Sequence, residues 1–518
     1  MSRGRAAALT ALGALALLAS YAPFRLPPLS FVAVTPAVLL LLDAISAGDS
    51  RRAFRRGFWY GVACFGLVLY WMVVALWHFT ALAALGYLAT IAILGALTGL
   101  MFWFVVRVRL VLPAVPLALV FPLAWTALEW IVGHLGDIRF PWLGLGTSLS
   151  DAPVLVQWAD LAGARGATLW LAWCNVAIVE AWAVGGGGVG VARLRWSWLV
   201  AVLATVALAG GYGAWRMRTL PTREVGLVGM IQPNEAYDEK WSRQPDSVVA
   251  KLLDLTRRVR AQYRPDVIFW PEAALPGWLD QQPAWDDSIA RLARENHTPM
   301  LVGGLHVEWL TGGAYRGYNA AFFYDSTGAR RPWPIYEKHY LVPVVERVPF
   351  VPVSWFRRVP GLARWSGGFV AGRDLPVYRT AIGRFGVLIC YESAFEDLPR
   401  GYRRAGADFL VNITNDAWFG RTAAPYQHAS HLVLRAIETR MGVARAANSG
   451  VSELVDPLGR VSDATRLDQE AIVGARLRTS DVLTLYVRLG DWVGTLSVIV
   501  TAGLALALIR LRWRREKY

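Results

Sequence analysis

Three chemically reactive side chains stand just past short apolar runs in this sequence. Cys390 comes directly after a buried-strand pattern, Glu272 follows another such pattern and a proline, and Lys338 closes a third stretch. A thiol at the end of a buried strand is held rigidly and can still be reached by a substrate. A carboxylate can act as its base, and an amine can stabilise a thiolate and an oxyanion. The three residue types together therefore predict an acyl-transfer site built on a cysteine.

Each of these residues alone has an ordinary explanation. A lone glutamate after a strand is usually a surface carboxylate, a lone lysine is usually a solvated charge, and a cysteine in an apolar run usually packs in a core. Cys64 and Cys174 lie inside long apolar runs, and we predict that they are packing residues. No metal-binding spacing of cysteines and histidines occurs. The sequence therefore predicts neither a metal nor a cofactor.

Long apolar runs dominate the first part of the chain and return near its end. A membrane span needs about 20 apolar residues, and the hydrophobic content of 55% is high for a soluble protein. The pattern predicts a bundle of about eight transmembrane helices, at 6–22, 29–46, 57–78, 81–106, 110–134, 166–185, 196–215 and 486–510. We interpret the first run as an uncleaved helix rather than a signal peptide.

The net charge of +15 comes mostly from arginines at the ends of the apolar runs. These arginines cluster before the first run, between alternate runs and after the last run, and the intervening loops carry few of them. Cytoplasmic loops of membrane proteins have this excess. The pattern predicts a multi-pass membrane protein, lying in the inner membrane if the bacterial cell is Gram-negative, with both termini in the cytoplasm. The basic composition therefore reports membrane topology and does not support nucleic-acid binding.

The region between the seventh and eighth runs has the mixed texture of a globular domain. We predict strands at 225–231, 267–270, 300–303, 320–324, 387–389 and 409–413, and helices at 244–263, 285–295 and 424–447. Alternating strands and helices favour a layered α/β domain. The predicted domains are a transmembrane domain at 1–219, a periplasmic catalytic domain at 220–482, and a last span with a basic cytoplasmic tail at 483–518.

The sequences around the three reactive residues resemble the three motifs of the nitrilase superfamily. They are Trp-Pro-Glu-Ala-Ala from Trp270, Tyr-Glu-Lys ending at Lys338, and Ile-Cys-Tyr-Glu-Ser around Cys390. The predicted spans extend the resemblance to the membrane-embedded branch of that superfamily, the apolipoprotein N-acyltransferases. Further matching stretches lie at 412–420 and 447–450. The resemblance implies a helical membrane bundle joined to a nitrilase-like αββα sandwich.

The resemblance also implies a ping-pong reaction. Cys390 would take an acyl chain from a phospholipid, typically phosphatidylethanolamine, and pass it to the α-amino group of an S-diacylglyceryl apolipoprotein. Glu272 would be the base, Lys338 the oxyanion partner and Cys390 the nucleophile. The residues matched to supporting positions are Glu346, Tyr391, Glu392 and Trp241.

The chain departs from the family pattern at 344–347. The family usually has Phe-Gly-Glu-Tyr there, and this chain has Val-Val-Glu-Arg. Glu346 keeps its place, but Val345 replaces the glycine and Arg347 replaces an aromatic residue. We therefore expect the chemistry to be kept and the shape of the loop to differ.

Aromatic residues are concentrated at 350–372, and we treat this stretch as a candidate lid over the cysteine. Its predicted contacts are Trp355, Phe356 and Trp365. A plain interfacial anchor explains the same composition equally well. The aromatic segment 135–165 is likewise either an interfacial loop or part of a lipid entrance.

Other interpretations stay open. The same three reactive residues would serve a membrane-tethered nitrilase-type amidase, and a catalytically inactive membrane scaffold would need none of them. His428 and His431 stand at positions i and i+3, but no third metal ligand is visible near them in the sequence. We therefore expect these two histidines to be packing residues.

Overall fold

The computed structural model describes residues 1–77, 83–182, 194–236, 244–351 and 368–516. Helices make up the first half. They are α1 (Arg3–Ser20), α2 (Thr35–Ser46), α3 (Ser50–Val68), α4 (Trp71–Trp77), α5 (Ala83–Val111), α6 (Leu117–Gly133), α7 (Ala159–Ala181) and α8 (Trp196–Thr219). The helices of the second half are α9 (Pro245–Tyr263), α10 (Pro283–Glu295), α11 (Asp397–Arg404), α12 (Ala424–Thr439), α13 (Leu485–Leu489) and α14 (Trp492–Glu516). Because α14 packs against α6 and α7, the two ends of the chain form one helical body.

Helical segments lie at every predicted span, but fewer of them qualify as membrane-crossing. Among the described residues, four helices are long and apolar enough: Pro27–Ser46, Ala84–Val111, Trp196–Thr219 and Trp492–Arg514. The bent pair of α3 and α4 is a fifth candidate. By length and composition, the described residues therefore support four or five of the eight predicted spans. Two arginines make α1 more polar, and Asp160, Arg165 and Asn175 make α7 more polar. Helix α6 has only 17 residues.

Strands make up the core of the second half. They are β1 (Arg223–Gln232), β2 (Val267–Phe269), β3 (Met300–Trp309), β4 (Tyr315–Tyr324), β5 (Tyr336–Glu337), β6 (Tyr378–Thr380), β7 (Gly383–Ile389), β8 (Phe409–Thr414), β9 (Gly442–Ala447), β10 (Glu453–Val455), β11 (Val461–Ser462) and β12 (Ala471–Thr479). In the described part of the chain they form two six-stranded sheets, ordered β12-β1-β2-β3-β4-β5 and β11-β10-β9-β8-β7-β6.

The two sheets pack face to face through aromatic side chains. Phe385 of β7 meets Phe269 and Phe323 of the other sheet, with ring centroids 5.7 and 5.8 Å apart. Helix α9 covers the first sheet and α12 covers the second. This is the αββα sandwich that the family resemblance implied, and each outer helix buries its apolar face against one sheet.

Parallel strands at the centre of each sheet determine where the site forms. Strands β1, β2 and β3 are parallel in one sheet, and β7, β8 and β9 are parallel in the other. The carboxyl ends of parallel neighbours meet at one edge of a sheet. Glu272 follows β2 and Cys390 follows β7, so the sandwich brings both to this edge.

The helix predicted at 424–447 was wrong at its end. Helix α12 stops at Thr439, Arg440 takes a left-handed backbone conformation with φ 55°, and β9 begins at Gly442. Every residue of β9 is buried. A short, fully buried strand lacks the alternation that distinguishes it from a buried helix.

Candidate active site

Cys390 lies at a strained turn directly after β7. Its side chain is buried, with 1% of the residue exposed, and its backbone has a left-handed φ of 52°. A residue other than glycine pays roughly 1–3 kcal/mol for that conformation. Burial raises the pKa of the Cys390 thiol well above its ordinary value, and the nearby Glu272 carboxylate adds to this while Lys338 opposes it. The resting thiol is therefore protonated and needs a base before it can attack.

Lys338 lies between two carboxylates. Its Nζ is 3.1 Å from Oε1 of Glu272 and 2.9 Å from Oε1 of Glu346. The side chain of Lys338 is fully buried. Burial lowers the pKa of Lys338, but the Glu272 and Glu346 carboxylates and the nearby Cys390 more than offset this, so the pKa lies well above its ordinary value. Lys338 is therefore a fixed positive charge beside the thiol.

Asn319 also joins these two carboxylates, a role that was not predicted from the sequence. Its Nδ2 donates to Oε1 of Glu272 at 2.7 Å and to Oε1 of Glu346 at 2.9 Å. Asn319 lies on β4, where Lys338 N–H donates to its carbonyl at 2.8 Å. An isolated asparagine in a strand carries no motif, so only the fold could bring it into the site.

The remaining oxygens of the two glutamates are held by backbone. Oε2 of Glu272 accepts from the N–H of Asn415 at 2.8 Å, and Oε2 of Glu346 accepts from the N–H of Val342 at 2.8 Å. Strand β3 approaches the Glu272 turn closely at Gly303, where a Cβ would lie 2.1 Å from the Pro271 carbonyl oxygen. Fixed orientation of both carboxylates follows from these contacts.

Glu392 ties the cysteine turn to the lysine loop. Its Oε2 accepts from the N–H of Ile389 at 2.6 Å and from the hydroxyl of Tyr336 at 2.7 Å. Its Oε1 accepts from the N–H of His339 at 2.6 Å. Burial raises the pKa of Glu392, and these donors oppose that rise. The geometry gives Glu392 a positioning role.

Tyr391 faces the helical body. Its hydroxyl donates to the carbonyl of Arg139 at 2.7 Å, and its ring stacks on Trp142 with centroids 6.2 Å apart. The Trp142 indole donates to Oε1 of Gln427 at 3.0 Å, and that oxygen also accepts from Trp71 at 3.1 Å. The predicted aromatic segment 135–165 thus packs directly against the cysteine turn.

An apolar cavity of 410 Å³ leads away from the cysteine. Residues of α4, α5 and α6 line the cavity together with Cys390, Tyr391 and His428. The altered loop contributes Val344 and Val345 to the same wall. The cavity therefore connects the thiol to a region between helices of the apolar half.

The departures at 344–347 have local consequences. Val344 takes a left-handed φ of 71°, and Arg347 forms an ion pair with Asp137 at 3.3 Å. Asp137 follows α6, so this pair joins the loop to the helical body. Glu346 keeps its contacts with Lys338, as expected.

Several predicted site residues cannot be placed. Trp241 and the predicted lid contacts Trp355, Phe356 and Trp365 lie outside the described residues. Their predicted roles remain predictions.

The expectation for His428 was incomplete. The structure brings Cys390, Asp416 and His428 together, with their ligand-type atoms all within 4.8 Å of one another. Asp416 also forms a 2.8 Å ion pair with Arg445. Since that guanidinium already supplies a cation, we assign no metal to this cluster.

Comparison with known proteins agrees with this architecture. The carbon-nitrogen hydrolase family model matches residues 225–484, and the apolipoprotein N-acyltransferase N-terminal domain model matches residues 13–177. An apolipoprotein N-acyltransferase of Geobacter metallireducens is 33% identical over 92% of this chain and 91% of its own length. One from Rhodopseudomonas palustris is 31% identical over 97% and 94%.

A solved amidase from Nesterenkonia sp. is 17% identical with a TM-score of 0.38, and the match covers 52% of this chain and 95% of the amidase. The fold and the family models define the class as a carbon-nitrogen hydrolase sandwich attached to apolar helices. The chain belongs to the apolipoprotein N-acyltransferase family. The family predicted from the motifs and the predicted fold class are confirmed.

Proposed function

We propose that this membrane enzyme transfers an acyl chain from a phospholipid, through a thioester on Cys390, to the α-amino group of a diacylglyceryl apolipoprotein. The family supports the overall activity, since its relatives are named for N-acylation of apolipoproteins. We assign Glu272 as base, Lys338 as oxyanion partner, and Glu346 and Glu392 as positioning residues. Phosphatidylethanolamine is the expected donor.

The apolar cavity is the observation that carries the proposal. Its volume is 410 Å³, and it runs from Cys390 to α4 and α5. An acyl chain is apolar along its length, and burying it removes that surface from water. A phospholipid chain entering between the helices would bring its ester carbon to the thiol. A small polar amide would gain nothing from such a channel.

The first half-reaction uses the buried ionic cluster. Glu272 takes the thiol proton while Cys390 attacks the ester carbon, and the ammonium of Lys338 stabilises the negative oxygen that develops. The ester C–O bond then breaks, and Glu272 returns the proton to the leaving lysophospholipid alcohol. Lys338 can remain charged throughout because its two carboxylates stabilise the ammonium.

We further propose how the chain divides into domains and how it crosses the membrane. We assign 1–219 to the membrane domain, 220–482 to a periplasmic catalytic domain, and 483–518 to a last span with a cytoplasmic tail. The arginine distribution supports cytoplasmic termini. A periplasmic site would meet apolipoproteins after their export.

The experiment uses full-length protein in detergent with a phospholipid labelled in its acyl chain. We expect label bound to the wild type, released by neutral hydroxylamine, and none bound to Cys390→Ala. Adding a diacylated lipopeptide should move the label to the peptide, whereas an N-acetylated lipopeptide should not accept it. Labelled wild type that yields only free fatty acid would contradict the transferase assignment and favour a hydrolase.

A further inference from the structure

A buried pair outside the Glu–Lys–Cys cluster lies beside the nucleophile. His428 on α12 and Asp416 after β8 have fully buried side chains, and Nδ1 of His428 is 2.9 Å from Oδ1 of Asp416. Both residues have a ligand-type atom within 4.8 Å of the Cys390 sulfur. His428 lines the same cavity as Cys390. A histidine backed by a carboxylate and placed beside a reactive thiol is the arrangement of a general base.

The surroundings keep Asp416 ionised. Burial opposes its charge, but Arg445 and His428 hold the pKa of Asp416 at about 2. Nη2 of Arg445 lies 2.8 Å from Oδ2 of Asp416 and 3.1 Å from Nδ1 of His428. A guanidinium only donates, so Nδ1–H of His428 donates to Asp416 when Arg445 donates to the same carboxylate. Gly450 allows the chain to pass this carboxylate, because a Cβ there would be 2.1 Å from Oδ2. The carboxylate is thus a permanent anchor for the imidazole.

The other ring nitrogen of His428 is not used within the described part of the chain. Nε2 of His428 is buried and has no hydrogen-bond partner there. The rings of Trp142 and Phe419 pack against the imidazole of His428, with their centroids 5.3 and 6.1 Å from the imidazole centroid. A buried polar nitrogen without a partner is unfavourable by roughly 1–3 kcal/mol. This suggests a partner that is present only during the reaction.

The second half-reaction needs a group that removes a proton from the acceptor, and the Glu–Lys–Cys cluster is poorly suited to this. The acceptor arrives as an ammonium, since an α-amino group has a pKa of about 8. An ammonium has no lone pair and cannot attack the thioester. Lys338 lies in the same cluster as Glu272. The Lys338 ammonium would therefore repel the acceptor ammonium if the acceptor approached Glu272 to lose its proton.

We propose that His428, oriented by Asp416, removes a proton from the acceptor ammonium so that the free amine can attack the Cys390 thioester. This inference rests on the proposed function. One nitrogen proton moves to His428 and later to solvent. The C–N bond forms, the C–S bond breaks, and the second nitrogen proton moves through Glu272 to the departing Cys390 thiolate.

The charged and titratable groups around His428 come from several elements. They are Asp416 after β8, Arg445 on β9, His431 on α12 and Cys390 after β7, with Glu272, Lys338 and Glu346 beyond the sulfur. Among these, Arg445 opposes a positive charge on His428 and Asp416 favours it. The pH dependence of the variant therefore has to be compared with wild type rather than assigned to one group.

The test separates the two half-reactions in the full-length enzyme. His428→Asn keeps a polar group near Asp416 and removes Nε2, and His428→Gln is the second variant. His431→Asn is the matched control, since His431 is on the same helix, is buried and packs on Trp142 at 5.1 Å. Each protein is acylated with labelled phospholipid and then discharged either to a diacylated lipopeptide or to hydroxylamine, which is uncharged near neutrality.

We expect both His428 variants to form the thioester, and the rate at which each thioester reacts with hydroxylamine is the reference for its discharge to the lipopeptide. Discharge to the lipopeptide at about pH 7 should fall by about 100-fold or more, the range for loss of a general base. At about pH 9 the amine is already deprotonated, so the deficit should shrink to less than about tenfold. The control should match wild type at both pH values.

Three results would overturn the inference. The His428 variants could discharge to the lipopeptide at the wild-type rate at about pH 7, their discharge rate could be reduced by the same factor at both pH values, or both variants could fail to form the thioester. The equal deficit would indicate a purely structural role. Failure of the wild type itself to form a thioester would instead contradict the proposed function.

Discussion

At the scale of single residues, the site stores charge and strain around one thiol. Cys390 is held in a left-handed conformation, and Lys338 is enclosed by Glu272 and Glu346 with no exposed surface on its side chain. Such an arrangement is unfavourable in isolation and persists only when surrounding contacts determine it. The contacts of Asn319 and Glu392 provide this support.

The burial of Cys390 leads to a prediction about its reactivity. Burial and Glu272 raise the pKa of the thiol, so the fraction of thiolate at neutral pH is small. The rate of modification by a small thiosulfonate reagent should keep rising to higher pH than for an ordinary cysteine, whose pKa is about 8.5. The same protein in denaturant is the control. A midpoint below that of the denatured protein would show a pre-formed thiolate and would contradict this expectation.

Asn319 gives a second prediction at this scale. Asn319→Asp replaces a donor to Glu272 and Glu346 by a third carboxylate at the same place. Like charges at this distance force one group to bind a proton. Thioester formation should fall by about 10- to 1,000-fold, measured with labelled phospholipid. Asn296→Asp at the end of α10 is the control. Equal rates of thioester formation in the two variants would contradict the role assigned to Asn319.

At the scale of elements, the sequence predicted the strands better than the contacts between elements. The apolar runs before Glu272 and Cys390 became β2 and β7, because short runs bounded by proline or polar residues favour buried strands. The pairing of Asp416 with His428 was missed, since it depends on how α12 packs beside the end of β8. The same limit applied to the end of α12, where buried helix and buried strand have similar compositions.

Helix α4 supports a prediction about the acyl chain. Ala75 on α4 lines the cavity and is 5% exposed, so Ala75→Phe should fill part of it. Donors with long acyl chains should lose about tenfold or more in rate relative to donors with short chains. Ala89→Phe on the exposed face of α5 is the matched control. An unchanged chain-length preference, measured with a series of phospholipids, would argue against the cavity as the acyl site.

At the scale of the whole molecule, buried ion pairs join the two halves. Arg165 on α7 contacts Glu396 before α11 at 3.0 Å and Asp491 before α14 at 2.7 Å. Asp160 on α7 contacts Arg440 after α12 at 2.7 Å. Rigid attachment keeps the cavity in line with the thiol. Asp160 and Arg165 stand just before the span predicted at 166–185, and their partners became visible only in the fold.

Removing one of these charges should destabilise the whole enzyme. Arg165→Met leaves the carboxylates of Glu396 and Asp491 buried without their shared partner, which costs about 3–5 kcal/mol. We expect a clear decrease in Tm in detergent and loss of acyl transfer. Arg195→Met is the control, because Arg195 is exposed and its contact with Glu180 is 3.9 Å long. Equal Tm values for both variants would show that the halves are not held by this contact.

The most direct test of the central claim is the mass of the intact protein after incubation with a single defined phospholipid. We expect the wild type to gain the mass of one acyl group minus one hydrogen, located on the peptide that contains Cys390. A diacylated lipopeptide should then reverse the gain and appear as its N-acylated product. Formation of N-acylated product by the Cys390→Ala variant would contradict this mechanism. Attachment of the acyl chain to a residue of the protein other than Cys390 would also contradict it.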